Sequence, residues 1–178
     1  MTIKNFWSLN VDEIIAADKI KSELGKEYEV FFPVNSQLKD IDLLIQNLKT
    51  GKSKSIQVKG SRTYEPSRSE AKNLGAVKTS WHVIKEKSIF SPTNKIDFFI
   101  FVTHEEELTT QKRRIKQNYL IIPINDFRKI TKKQKERRSA GYYHYSFIIK
   151  GKTATEFNNR QQKTIDFSKY LNNFDLLK

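Results

Sequence analysis

The segment DIDLLIQNLKTGKSKSIQVKG, residues 40–60, sets a carboxylate beside one apolar run and a Gln-x-Lys at the end of another. A Gly/Lys/Ser-rich break separates the runs, so residues 41–45 and 55–59 read as an antiparallel hairpin with Gly51 at the centre of its turn. The start of the first strand then lies beside the end of the second. Asp42 meets Gln57 and Lys59, which are two residues apart and point to one face. The backbone carbonyl of Val58 lies nearby. A carboxylate, an amide oxygen and an ammonium in one place suit metal-assisted phosphodiester hydrolysis. Asp42 and Gln57 offer hard oxygen ligands of the kind Mg²⁺ takes. Such an ion polarises the scissile phosphate and acidifies a bound water. Lys59 can orient that water or stabilise charge developing on the phosphate. The plainer alternative is an ordinary strand, with Asp42 a strand-edge solubility charge and Lys59 an exposed side chain before Gly60.

One carboxylate is few for Mg²⁺ on a nucleic acid. Glu13 is the candidate second. It aligns with Ala17, Ile20 and Leu24 on the inward stripe of a helix, where a carboxylate needs a cation or hydrogen-bond donors. Asp12 aligns with Ala16, Lys19 and Glu23, a more polar stripe. Glu13 can equally complete a capping box with Asn10.

The elements that must position these residues follow from the pattern. NVDEIIAADKIKSEL reads as a helix capped by Asn10 and ended by Gly25. YEVFFPV, WHVI, KIDFFIFV, YLIIPI and YYHYSFIIK read as further strands. Residues 61–80 are polar and read as a long surface loop. NDFRKITKKQKERR predicts a basic helix capped by Asn125. TIDFSKYLNNFDLL predicts a closing amphipathic helix with Phe167, Tyr170, Leu171 and Phe174 on one stripe. Helices and strands alternate without a linker or repeat. The expectation is one α/β domain over residues 1–178, with a mixed central sheet flanked by helices.

EYEVFFPVNSQLKDIDLLIQ…SIQVKGSR resembles the PD-(D/E)xK nuclease superfamily, in the variant that reads D…QxK. The resemblance spans roughly residues 10–102. It implies a restriction-endonuclease-like core and a Mg²⁺- or Mn²⁺-dependent endonuclease of restriction, homing or junction-resolving type. The motif's Asp falls on Asp42, its acidic-or-Gln position on Gln57, its Lys on Lys59 and the helix Glu on Glu13. The implied metal set is Glu13, Asp42, Gln57 and Val58. Ile41 stands where the name-giving motif has Pro. Gln57 is neutral and so a weaker ligand, which makes activity depend on Glu13, with Asp12 and Asp40 as fallback acids.

The charge fits a nucleic-acid partner. The chain has 178 residues, with 33 Lys plus Arg against 20 Asp plus Glu and a net charge of +13. A domain this basic suits a polyanion. Residues 111–138 hold eleven of the basic residues against two acidic ones, among them Arg113, Arg114, Lys132, Lys133, Arg137 and Arg138. They read as a phosphate-tracking surface, or as a solvated helix face. Lys52, Lys54, Arg62 and Arg68 are read as lying near the hairpin site, placed to hold a DNA backbone. GYYHYSF could stack an unpaired base, but reads better as a strand with one face in the core. His82 and His104 are single histidines without metal-ligand spacing. There is no cysteine, so no disulfide and no thiolate site. No apolar leader or membrane-length run is present, and a cytoplasmic protein is expected. Cutting two strands calls for a homodimer or larger symmetric assembly. The alternatives are a nuclease-fold DNA-binding module without catalysis and a basic RNA-binding protein.

Overall fold

The computed structural model describes residues 10–34, 40–64, 79–108, 113–134, 141–158 and 163–178. Helix α1 (Val11–Leu24) opens the fold; Asn10 caps it through the Asp12 N–H, and Gly25 ends it at φ 72°. Strands β1 (Tyr28–Phe31), β2 (Leu43–Asn47) and β3 (Ser53–Tyr64) form an antiparallel meander. Then come β4 (Thr79–Lys85), the short helix α2 (Glu86–Phe90), β5 (Phe98–Leu108) and β6 (Arg113–Pro123). Helix α3 (Ile124–Gln134) and strands β7 (Tyr142–Lys150), β8 (Thr153–Asn158) and β9 (Lys163–Asp166) follow. The chain closes in two 3₁₀ turns, Ser168–Tyr170 and Phe174–Leu177.

Nine strands join in one branched sheet, and β3 is the fork. Its first half pairs with β2, and its last two residues pair with β4, which leads on to β7, β8 and β9. On another edge β3 runs parallel to β5 from Ile56 to Arg62, and β5 pairs with β6. Strand alternation then divides the core in two. Leu43, Ile45, Ile56, Val58, Ile100 and Val102 face α1. Phe99, Phe101, Leu120 and Ile122 face the other way, toward Ile84, Tyr145 and Phe147 of the β4–β7 arm and Phe127 of α3. The mixed α/β sheet is as expected, but only one of its faces is covered mainly by a helix. The other is covered by a second, antiparallel part of the same sheet together with α3.

Three local readings change. Residues 61–64 extend β3, and 79–80 begin β4, so only residues 65–78 of the expected loop remain, outside the described residues. Helix α3 starts at Ile124, so Asn125 sits inside it and is not its cap. The expected closing helix is instead β9 followed by two 3₁₀ turns. Its apolar residues serve different cores: Phe167 and Tyr170 join the Phe101 cluster, whereas Phe174 packs with α1. Asn172, at φ 49°, breaks the run between them. A single helical stripe cannot face two cores. Among the described residues no helix is long and apolar enough to cross a membrane.

Candidate active site

The site begins where two strands leave β3. The β2 register ends at Leu43 opposite Ile56, and the β4 register begins at Thr63 opposite Ser80. Between them, among the described residues, Gln57–Arg62 are paired as strand to β5 alone. The edge of β3 toward β2 thus opens a notch beyond Ile56. Exposed backbone edges of this kind must be given partners, and here side chains supply them. The Asp42 N–H donates to the Ile56 carbonyl at 2.8 Å, continuing the ladder one step. The Asp42 carboxylate then turns in and accepts the Val58 N–H at 2.8 Å. At the far end Ser61 Oγ accepts the Trp81 N–H at 3.0 Å.

Asp42 therefore stands opposite Gln57, with Lys59 two residues further along β3. Both side chains share the face of Phe99 and Phe101, their register partners on β5. Gln57 is only 4% exposed, and its Oε1 has no hydrogen-bond partner among the described residues. A buried amide oxygen left in this state costs roughly 1–3 kcal/mol. Beside a carboxylate, such an oxygen fits a hard cation. Among the described residues, however, no three His, Cys, Asp or Glu side chains form a metal-holding group.

Glu13 is buried, as its spacing required, in the stripe of Ala16, Ala17, Ile20 and Leu24. That stripe packs on the Ile56 and Val58 face of β3, whereas Gln57 and Lys59 alternate to the opposite face. The Asn10 side chain caps the helix through the Asp12 N–H at 3.1 Å.

Asp12 is the acid the spacing undervalued. Its Oδ1 lies 2.5 Å from His104 Nε2, with both side chains part-buried. The carboxylate lies directly on Gly60: a Cβ built there would come 1.7 Å from Asp12 Oδ2. Asp12 and Asp42 thus bear on β3 at Gly60 and Val58, on either side of Lys59. Two strand residues span about 6.6 Å. The glycine after Lys59 was the sequence signal, since a glycine within a strand marks close approach of another group.

His82 is the neighbour on the other face. It is 3% exposed and lies against Phe101, with ring centroids 5.0 Å apart. Burial, and secondarily the Lys59 charge, push its pKa from 6.5 down to about 3. The imidazole is therefore neutral near pH 7. Between pH 6.5 and about 3 the unfolded chain binds a proton that the folded chain refuses, so stability falls as pH falls. The slope from this group is about 1.4 kcal/mol per pH unit. His82→Leu is expected to remove that slope, as read by urea unfolding at pH 7 and pH 5. An equal pH 7-to-5 loss in both proteins would refute this role for His82.

The basic residues scatter. Arg62 is exposed at the end of the notch. Lys52 is in the β2–β3 turn, at the opposite end of the hairpin, five residues from Gln57, or about 16 Å of strand. Lys54 bonds the Lys178 carbonyl and lies over Phe98. Neither lies beside Asp42, because both sit at the turn end of the hairpin, Lys52 in the turn and Lys54 on β3 opposite Ile45. Lys132 and Lys133 are exposed on α3, with Lys132 over the Phe90 ring. The Arg113 and Arg114 backbone belongs to β6, paired with Leu108 and Glu107. Arg68, Arg137 and Arg138 lie outside the described residues. Compared with protein-family models, curated proteins and solved structures, the chain gives no match to any of the three.

Proposed function

We propose that the chain is a metal-dependent DNA endonuclease whose catalytic centre is the notch on β3. One observation carries this reading: the Asp42 carboxylate is held by the Val58 N–H on the stretch of β3 that bears Gln57 and Lys59, beyond the end of the β2 register. The order of a helix, three antiparallel strands and a strand parallel to the third supports a restriction-endonuclease-like core. Asp42 and Gln57 Oε1, with the Val58 carbonyl, would hold Mg²⁺ or Mn²⁺. Bound there, the ion would polarise the scissile phosphate and lower the pKa of a water. Lys59 sets its ammonium toward that phosphate and counters the charge that grows on it. Asp42 is oriented by a backbone donor, the Val58 N–H. Cleavage of both strands of a duplex would call for two copies of the chain.

A second reading, a DNA-binding module without catalysis, draws on Gln57 being neutral and on the lack of a three-acid group among the described residues. The deciding experiment is incubation of the purified protein with supercoiled plasmid and branched DNA, with Mg²⁺, Mn²⁺ or a chelator. Nicking that needs the metal and stops with the chelator is expected. Salt-steep DNA binding without cleavage of either substrate would favour the module.

A further inference from the structure

The outward face of β4 and β7 has the wrong composition for a merely solvated sheet. Alternation buries His82 and Ile84 on β4 and Tyr143, Tyr145 and Phe147 on β7. A half-buried antiparallel arm should then show polar residues outside. Instead Trp81 is 36% exposed, Val83 46% and Tyr142 38%. The register sets Val83 opposite His144 and Lys85 opposite Tyr142, so these side chains share one face. Trp81 and His144 meet edge to face, with centroids 5.2 Å apart.

The face is basic as well as aromatic. Lys85 is exposed within it. Extending the Thr63–Ser80 register by one step puts Arg62 opposite Trp81 on the same side, and Arg62 is exposed. Arg62 is also the last β3 residue beside the notch, two positions after Gly60. A path of aromatic and cationic groups therefore runs from Tyr142 and Lys85, past Trp81, to Arg62 at the far end of the notch, on the Gly60 side of β3 and opposite the Gln57 and Lys59 side chains. Flat exposed rings among cations suit bases whose faces are free, since any base can stack while the charges follow the phosphates. A paired duplex hides those faces.

We propose that the outer face of β4 and β7 is a platform for an unpaired nucleic-acid strand, leading that strand to the notch; the second clause rests on the nuclease reading. The substrate class is then nucleic acid with a single-stranded or branched segment.

Binding of dye-labelled single-stranded DNA, single-stranded RNA and the matching DNA duplex tests this by fluorescence anisotropy, at fixed salt and with chelator so that nothing is cut. Trp81→Ala is expected to weaken single-strand binding about tenfold or more and to leave duplex binding unchanged, with circular dichroism checking that the variant is folded. Trp81→Phe, which keeps a ring, is expected to restore most of the affinity, and it remains informative if the alanine variant folds poorly. Unchanged single-strand affinity in Trp81→Ala overturns the platform. So does a shift of assembly state on sedimentation without loss of strand binding, which would make this face a contact between copies. Wild-type protein that cuts duplex but does not bind single strands refutes the platform alone. Trp81-dependent strand binding without cleavage under metal refutes the nuclease alone.

Discussion

Lys59→Ala is expected to lower metal-dependent cleavage by roughly 100- to 1,000-fold, the loss typical when one preorganised charge-stabilising group is removed. Lys59 is half-buried between Gln57 and Gly60 at the notch, close enough to His82 for its charge to help keep that imidazole neutral. In half-buried surroundings the effective dielectric is lower than in water, so the interaction of an ammonium with a developing phosphate charge is stronger there. The alanine variant should still bind DNA, because a chain of net charge +13 keeps its many other basic residues for phosphates. Plasmid cleavage and anisotropy on the same preparations separate the two effects. Equal cleavage by wild type and variant would remove Lys59 from the chemistry and move the active centre away from the notch. Lys59→Arg should not restore the rate, because a planar fork cannot replace a compact point charge.

Gly60→Ala is expected to destabilise the fold by about 1–3 kcal/mol, the usual range for overpacking. The backbone at Gly60 does not need a glycine for its φ angle; the space does. A methyl group there would lie 1.7 Å from Asp12 Oδ2 and 2.0 Å from Asp12 Cγ, so the carboxylate must leave. Leaving breaks the 2.5 Å bond to His104, which ties the first turn of α1 to β5. Urea unfolding of Gly60→Ala, Asp12→Ala and the double variant isolates the cause. With Asp12 already truncated, the added methyl should do little further harm, giving a clear coupling between the positions. Additive losses would mean that Gly60 matters for some reason other than the seat of Asp12.

Much of the site could be read locally. Asp42, Gln57 and Lys59 lie within 18 residues of each other on one hairpin, and hairpin register depends on turn and alternation, both visible in the chain. The same local logic put Glu13 on the buried stripe of α1 and gave GYYHYSF one core-facing side, which the structure makes that of Tyr143, Tyr145 and Phe147. Asp12 escaped notice because its partner, His104, is 92 residues away, and only the parallel β3–β5 pairing brings that histidine beside Arg62 and Gly60. The closing segment failed for a related reason: its stripe fits a helix by spacing, but Phe167 and Phe174 are claimed by different cores. By itself, then, the sequence determined the hairpin and the buried stripe of α1, because each depends on near neighbours. The tertiary structure decided which acid lies over Gly60, which surface carries the aromatic face and how the chain ends, because each depends on contacts between distant elements that no local pattern encodes.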